Sequence, residues 1–428
     1  MNYFLFFLIA AIIGAGVFPA SAYSQNSCMS TRDSGFSSPV TVAVSDNCSR
    51  IIAGSASSGI VSLFDEKQNL LWAYHTNSTI HDVAISPDGQ ILYAATVDGN
   101  VHCLNSEGTR LWTFRNAGCS PRVFPSPSGS TGLIINTNDP KNLHYSNFHL
   151  FAANGTVTDE RNDPSILDAI MTDDYDYVVL SLGQKAQTLL LYSDSGNCDL
   201  ASPVAGYNIH TAISADARII AVANPGDFTM YNRFGDRISA IHSDYYINTV
   251  ATSPEGDMAF LGTQYDISAY AGNGTRLWNF FANEDVTQIA SSFQGNTTIA
   301  VTSRQRLPDA PTSTVYRFSA SGDPVWKIPI RDSLGSLAVS KDAECIVAGS
   351  FNDTVYFVSA EGNITAEQLH SLPFQPLPTT PVPTLVYHTT GTPQPSPGPD
   401  FLLIIAIGIS GTAGCCYYRR RSGRQIQR

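Results

Sequence analysis

The sequence predicts an all-β chain: a ring of eight small four-stranded antiparallel sheets, or seven with an irregular extra sheet, followed by a C-terminal transmembrane helix. Three observations carry that expectation. The pentapeptide GTRLW occurs at residues 108–112 and again at 274–278, and aligning on it recovers eight units. Four residues before each glycine position stands an apolar one (Phe64, Leu104, Phe151, Tyr192, Tyr231, Tyr270, Phe318, Val358), and all four tryptophans, Trp72, Trp112, Trp278 and Trp326, fall four after it. A second landmark, clearest as VAISPDG (83–89) and VATSPEG (250–256), places a Ser or Thr at Ser45, Ser86, Ser126, Thr172, Ser214, Ser253, Ser292 and Ser340, at spacings of 39 to 48 residues. Finally, each unit reads as four short alternating strands between Gly/Asp turns, as in HDVAIS, QILYAAT, NVHCLN and TRLWTF of the second unit, and no convincing helical stripe interrupts residues 23–372.

Taken along the chain, residues 1–22 carry an apolar run ending in Ala20-Ser21-Ala22, the small-residue pattern of a signal-peptidase site. A signal peptide cleaved before Tyr23 is expected, although no Lys or Arg precedes the run; an uncleaved anchor is the alternative. Residues 23–38 form an N-terminal segment, and 28–38 are one candidate source of the strand that closes the ring; the other is an outer strand of the last unit's own, near 367–372. The ring itself takes residues 39–372. A single four-stranded unit has apolar residues on both faces and is not stable alone; stacking the units radially buries each face against its neighbour, which is the architecture of a β-propeller. The tryptophans are expected to pack between neighbouring sheets at the start of each outer strand.

Residues 373–400 hold nine prolines in the first 27 positions, a composition expected to exclude helix and sheet and to form an extended stalk, with Thr and Ser as candidate O-glycan sites. Residues 401–418 are uncharged and apolar; eighteen residues at ~1.5 Å each give about 27 Å, enough for a bilayer core. Arg419, Arg420, Arg421, Arg424 and Arg428 follow, placing residues 419–428 on the cytoplasmic side and the ring outside.

The repeats resemble those of the WD40-like and PQQ-like β-propeller families over about residues 39–371. The Gly-x-x-x-Trp spacing matches the PQQ-like repeat, with the stretch before the glycine one residue shorter; the Trp-Asp and Gly-His pairs of WD40 repeats are absent. Resemblance to PQQ-dependent dehydrogenases would imply a vicinal cysteine pair within the ring and calcium-binding Glu, Asn and Asp. The vicinal pair here, Cys415-Cys416, lies in the apolar C-terminal stretch, so cofactor binding does not carry over. The Ser-x-Asp-x-Gly-x-x-Trp turn of sialidase-like propellers does not match either, since here four steps separate Gly from Trp. The layout of signal, ectodomain, stalk and anchor resembles stalked, membrane-anchored surface proteins of archaea.

A formal charge of −12, more negative still without the tail arginines, argues against nucleic acid as a partner. Six cysteines lie outside the anchor, Cys28, Cys48, Cys103, Cys119, Cys198 and Cys345, an even number that permits disulfides without choosing among fifteen pairings. Sequons at Asn47, Asn77, Asn154, Asn273, Asn296, Asn352 and Asn363 are candidate glycan sites.

Chemistry is sparse. The nine histidines are scattered without His-x-His or His-Glu-x-x-His spacing, and His75, His102 and His242 read as ordinary strand or turn residues. Asp173, Asp174 and Asp176 make the densest acidic cluster, at the place of a solvated turn. No catalytic, cofactor or metal site is expected.

Binding is expected on one rim. The third and seventh units carry extra residues between their second and third strands, with Asn138, Lys141, His144 and Tyr145 in one and Arg304, Arg306 and Asp309 in the other. In an eightfold ring these stand opposite each other on one rim, whereas Asn47, Asn154, Asn273, Asn296 and Asn363 fall in turns of the other. The reading that follows is a non-enzymatic, membrane-anchored binding or scaffold module for a protein or glycan at the cell surface. The alternatives are an extracytoplasmic enzyme acting on glycans or small molecules, and a scaffold dimerising through Ala406, Ser410 and Gly414 of the anchor.

Overall fold

The computed structural model describes residues 39–378, apart from 116, 118, 127–130, 139–145, 164–165, 172–176, 183–186, 193–197, 204–209 and 305–312, together with 384–385. The chain divides into residues 1–387 and residues 388–428. The expected signal peptide, N-terminal segment, transmembrane helix and basic tail lie outside the described residues. Among the described residues no helix is long and apolar enough to cross a membrane.

The strands assort in chain order into eight antiparallel hydrogen-bonded sheets of four strands each, spanning residues 41–75, 80–114, 119–163, 166–203, 210–242, 247–281, 285–330 and 334–368; the first two gain a fifth strand. The second sheet runs Ile80–Ile85, Ile91–Thr96, Val101–Asn105 and Arg110–Phe114, the four strands read from its sequence. First strands of successive sheets neighbour one another in order, and that of the last sheet, Leu334–Val339, lies against that of the first, Thr41–Val44. The sheets therefore close into a ring around their inner strands, which is a β-propeller.

Burial between sheets holds the ring. Tyr93, Trp112, Val123 and Phe151 form one cluster across the second and third sheets, and Phe260, Trp278, Val286 and Phe318 another across the sixth and seventh. A fully buried aromatic side chain contributes roughly 1.5–3 kcal/mol by area alone.

GTRLW has a job at each of its letters. Gly108 has φ +81°, and a Cβ there would meet Trp72 of the preceding sheet at 3.0 Å, so the residue must be small as well as left-handed. The turn is pinned by Thr109, whose N–H donates to Asn105 Oδ1 at 2.7 Å. Leu111 is the extra residue of a β-bulge, because Trp112 pairs with Cys103 while Arg110 pairs with Leu104. The bulge turns Leu111 outward, 36 % exposed, and Trp112 inward, 3 % exposed. The same bulge recurs in seven sheets, and Leu71, Leu277 and Val325 are exposed for the same reason.

Each indole lies against the next sheet. Trp72 Nε1 donates to Ser106 O at 3.2 Å, Trp112 to Ala153 O at 2.9 Å and Trp326 to Ala360 O at 2.7 Å, every acceptor standing two residues before that sheet's turn glycine. Trp278 instead stacks on Phe318, with its N–H unpaired among the described residues.

The serine landmark is a second lock. Ser45, Ser86, Ser126, Ser214, Ser253, Ser292 and Ser340 are all buried in the turn between the first and second strands. Each hydroxyl accepts the backbone N–H five residues on, from Arg50, Ile91, Thr131, Ile219, Met258, Thr297 and Cys345 at 2.9–3.2 Å. A residue one or two positions on then bonds to the next sheet's turn: Asp46 N–H to Pro87 O, Ala215 to Pro254, Glu255 to Phe293, Phe293 to Lys341, and Lys341 to Asp46. That last bond, from the eighth sheet to the first, makes the closing joint like the others.

Closure needs no borrowed strand. The eighth sheet ends in its own outer strand, Ile364–Gln368. The seam adds a Cys48–Cys345 disulfide, with Cα atoms 5.9 Å apart across a sequence separation of 297, and an edge contact of Phe64 with Phe357 at 5.3 Å. Cys103 is free and buried, and burial pushes its thiol pKa well up, so it is an inert core residue.

One expectation is corrected. The proline-rich segment was expected to exclude sheet, yet Gln375–Pro376 pairs in parallel with Tyr74 and His75, and Thr384–Leu385 with Thr113 and Phe114. Proline is tolerated because it lies on an edge, where its missing N–H breaks no ladder. Phe374, 5.5 Å from the His75 ring, leads the segment onto the first sheet. Residues 375–376 and 384–385 thus lie on the outer edges of the first and second sheets.

Candidate binding site

The antiparallel topology puts the first-to-second and third-to-fourth strand turns at one rim, and the second-to-third turns and the connections between sheets at the other. All seven sequon asparagines are exposed. Asn47, Asn154, Asn273, Asn296 and Asn363 lie on the first rim, and Asn77 and Asn352 on the second, where Asn352 Nδ2 donates to Asp332 Oδ1 at 2.7 Å.

On the second rim, Asn138 ends the strand Thr131–Asn138, its backbone paired opposite Cys119, while Lys141, His144, Tyr145, Arg306 and Asp309 lie outside the described residues. Arg304 is not a free cation. It is ion-paired to the buried carboxylate of Glu284, which also accepts from Thr302 Oγ1. Asp332 shows the same use of an acid from a connecting loop, accepting from Asn352 and, at 3.1 Å, from Tyr356 OH. Burial and the Asp332 charge push the Tyr356 phenol up to about 12.

Sequence reading overlooked an aromatic group on this rim. Tyr245 and Tyr246 lie in the connection to the sixth sheet, Tyr265 in that sheet's second-to-third turn, and Phe281 at the end of its outer strand. Their backbones interlock: Gln264 N–H donates to Tyr246 O at 3.0 Å, and Tyr265 O accepts from Ala282 at 2.8 Å and Asn283 at 2.9 Å. Tyr265 meets Tyr245 edge-on at 4.9 Å and stacks on Phe281 at 6.3 Å. Beside them opens a cleft of about 350 Å³ lined by Tyr246, Asn248, Gln264, Asp285 and Thr287. Asn248 and Thr287 occupy the bulge positions of the sixth and seventh inner strands, where an extra residue re-aims the chain next to the cleft. The legible signal was a pair of aromatics, Tyr245-Tyr246, in a turn that needs only polar residues.

The histidines are structural in their surroundings. Burial holds His102 down to about 4, and its Nδ1 lies 3.1 Å from Thr113 Oγ1; burial does the same to His149, also about 4, against Phe114. His242 is exposed, and its hydrogen bond with Asp227 at 3.0 Å raises it. On the second inner strand, burial pushes the Asp82 carboxyl up against the opposing pull of Arg122, while Asp82 accepts Val123 N–H of the third sheet at 2.9 Å. Among the described residues no three His, Cys, Asp or Glu side chains come together as a metal site. Asp173, Asp174 and Asp176 lie outside the described residues.

A family model, the WD domain, G-beta repeat, matches residues 68–105. That stretch takes the outer strand of the first sheet and the first three strands of the second, so the matched repeat straddles two sheets. Among solved structures the chain is similar to Sqt1 of Chaetomium thermophilum, solved bound to the N-terminus of the ribosomal protein L10, at 13 % identity and TM-score 0.60, covering 76 % of this chain and 97 % of that one. It is also similar to the Dos1 propeller, at 12 % identity and TM-score 0.58, covering 80 % and 94 % respectively. No curated protein matches the sequence. The fold is that of a WD40-like β-propeller.

Proposed function

We propose that this WD40-like propeller is an exported interaction module, anchored at the cell membrane by residues 401–418, that binds a protein partner through the rim bearing the insertions and the aromatic group. We read each of the eight sheets as one blade, and in that reading the second-to-third connections of the third and seventh stand on opposite sides of the rim. The Cys48–Cys345 disulfide supports an oxidising compartment, since such bonds persist outside the cytosol. The two arms of the layout, signal at the front and proline-rich stalk with anchor behind, are those of the archaeal surface proteins that the chain resembles. The sequons are read as glycan sites and the arginines after residue 418 as cytoplasmic.

The observation that carries this reading is the asymmetry of the rims. Among the described residues, five exposed sequon asparagines occupy one, whereas Tyr245, Phe281, Phe351 and Phe374 stand exposed on the other, against Phe234 as the one exposed aromatic on the sequon side. Exposed aromatics mark recognition surfaces. Sqt1, of like fold, holds a chain terminus of its partner, and a protein segment is the partner class proposed here. The test shields the rim: a sequon introduced into residues 138–145 of the full chain in its own host abolishes cross-linking to surface partners, while one added beside Asn273 does not. Equal cross-linking by both chains rejects the proposal.

A further inference from the structure

Resting on the interaction module just proposed, we infer that the cleft between the sixth and seventh blades receives an arginine side chain of the partner. Five residues line it, contributing one carboxylate, two carboxamides, one aliphatic hydroxyl and one phenol, and none of them is Lys, Arg or His. Asp285 has no hydrogen-bond or ion-pair partner for its side chain among the described residues. Glu284, one residue earlier, shows what a satisfied acid looks like at this place, buried and held by Arg304 and Thr302. Two described cations of the flanking loops are engaged, Arg304 by Glu284 and His242 by Asp227. The lining therefore carries one carboxylate and no cation among the described residues.

Tyr246 lines the cleft, and Tyr245 and Tyr265 are the chain neighbours of its lining residues Tyr246 and Gln264. Tyr265 stands between Tyr245 and Phe281, which are 40 % and 59 % exposed, and the rings meet at 4.9 and 6.3 Å. A guanidinium satisfies both halves: its face lies on an aromatic ring, and its edge gives two parallel N–H donors to one carboxylate. Lysine supplies the charge without the plane. Asn248 and Gln264 offer carboxamide oxygens for the remaining donors. About 350 Å³ suits one long side chain entering from an extended segment, which makes this an anchoring pocket within a wider contact.

The test compares two labelled peptides, acetyl-Gly-Gly-Arg-Gly-Gly-amide and the same peptide with citrulline, an uncharged isostere of arginine. Fluorescence anisotropy follows binding to the full chain. Saturable binding of the arginine peptide is expected, at least tenfold weaker for citrulline and for Asp285→Asn, and unchanged for Asp257→Asn, an exposed acid on the opposite rim. Equal binding of the two peptides, indifference to Asp285→Asn, or no binding overturns the inference. So does binding that appears only in Arg306→Ala, which assigns the cleft to the chain's own insertion. If the peptides fail while the sequon at residues 138–145 still abolishes cross-linking, only the cationic ligand is lost and the binding rim stands.

Discussion

At the sequon-bearing rim, seven described blades repeat one device, a buried serine that takes the N–H five residues on, and neighbouring turns bond to each other around the ring. At the opposite rim the connections differ from blade to blade: an acid bound by the next blade at Glu284 and Asp332, an aromatic group around Tyr265, insertions in the third and seventh. The difference follows from what each end must do. Turns that hydrogen-bond to their neighbours must all have the same shape, because a misfit at one joint is passed to the next. Connections that meet solvent or a partner carry no such constraint and are free to diverge.

If that contrast is right, substitutions at the regular rim cost stability and those at the irregular rim cost recognition. The largest effect is expected from Trp112→Ala, which empties an almost fully buried site between two blades and removes the bond to Ala153; the loss is about 3–5 kcal/mol in denaturant melts. A loss below 1 kcal/mol would mean that the joints are not held by their indoles. Removing the closing disulfide by Cys48→Ser with Cys345→Ser is expected to cost about 2–4 kcal/mol, with reductant reproducing the effect in the parent chain. The smallest of the stability effects is Ser253→Ala, about 1–3 kcal/mol, because the buried Met258 N–H is left without an acceptor. The matched change on the other rim, Phe281→Ser, is expected to stay within about 0.5 kcal/mol of the parent. Equal losses for these last two would erase the distinction between the rims.

Much of this was legible in the chain. The rhythm of strands, the four tryptophans at one position and the serine landmark are all periodic, and periodicity survives in a sequence because identical joints demand identical residues. Their roles were less visible. Aligned within a unit, glycine and tryptophan look like partners, but the contact joins the tryptophan of one blade to the glycine of the next, as Trp72 shows against Gly108. The leucine before the tryptophan is apolar in sequence, yet the bulge turns it out to solvent. Composition likewise misjudged the proline-rich segment, since edge pairing asks for no donor from Pro376.

By itself the sequence determined the all-β repeat, its length and the places of its joints, because each of these is a local pattern of side-chain alternation, turn residues and spacing. Only the tertiary structure decided that Cys48 meets Cys345, that Arg304 is occupied by Glu284, and that Asp285, without a side-chain partner among the described residues, shares a cleft with Tyr246. Those contacts join residues 297 apart, flank two strands of one sheet, or span two blades, and no local rule encodes them: ring closure brings the ends together, and the angle between neighbouring blades sets which side chains share a cleft.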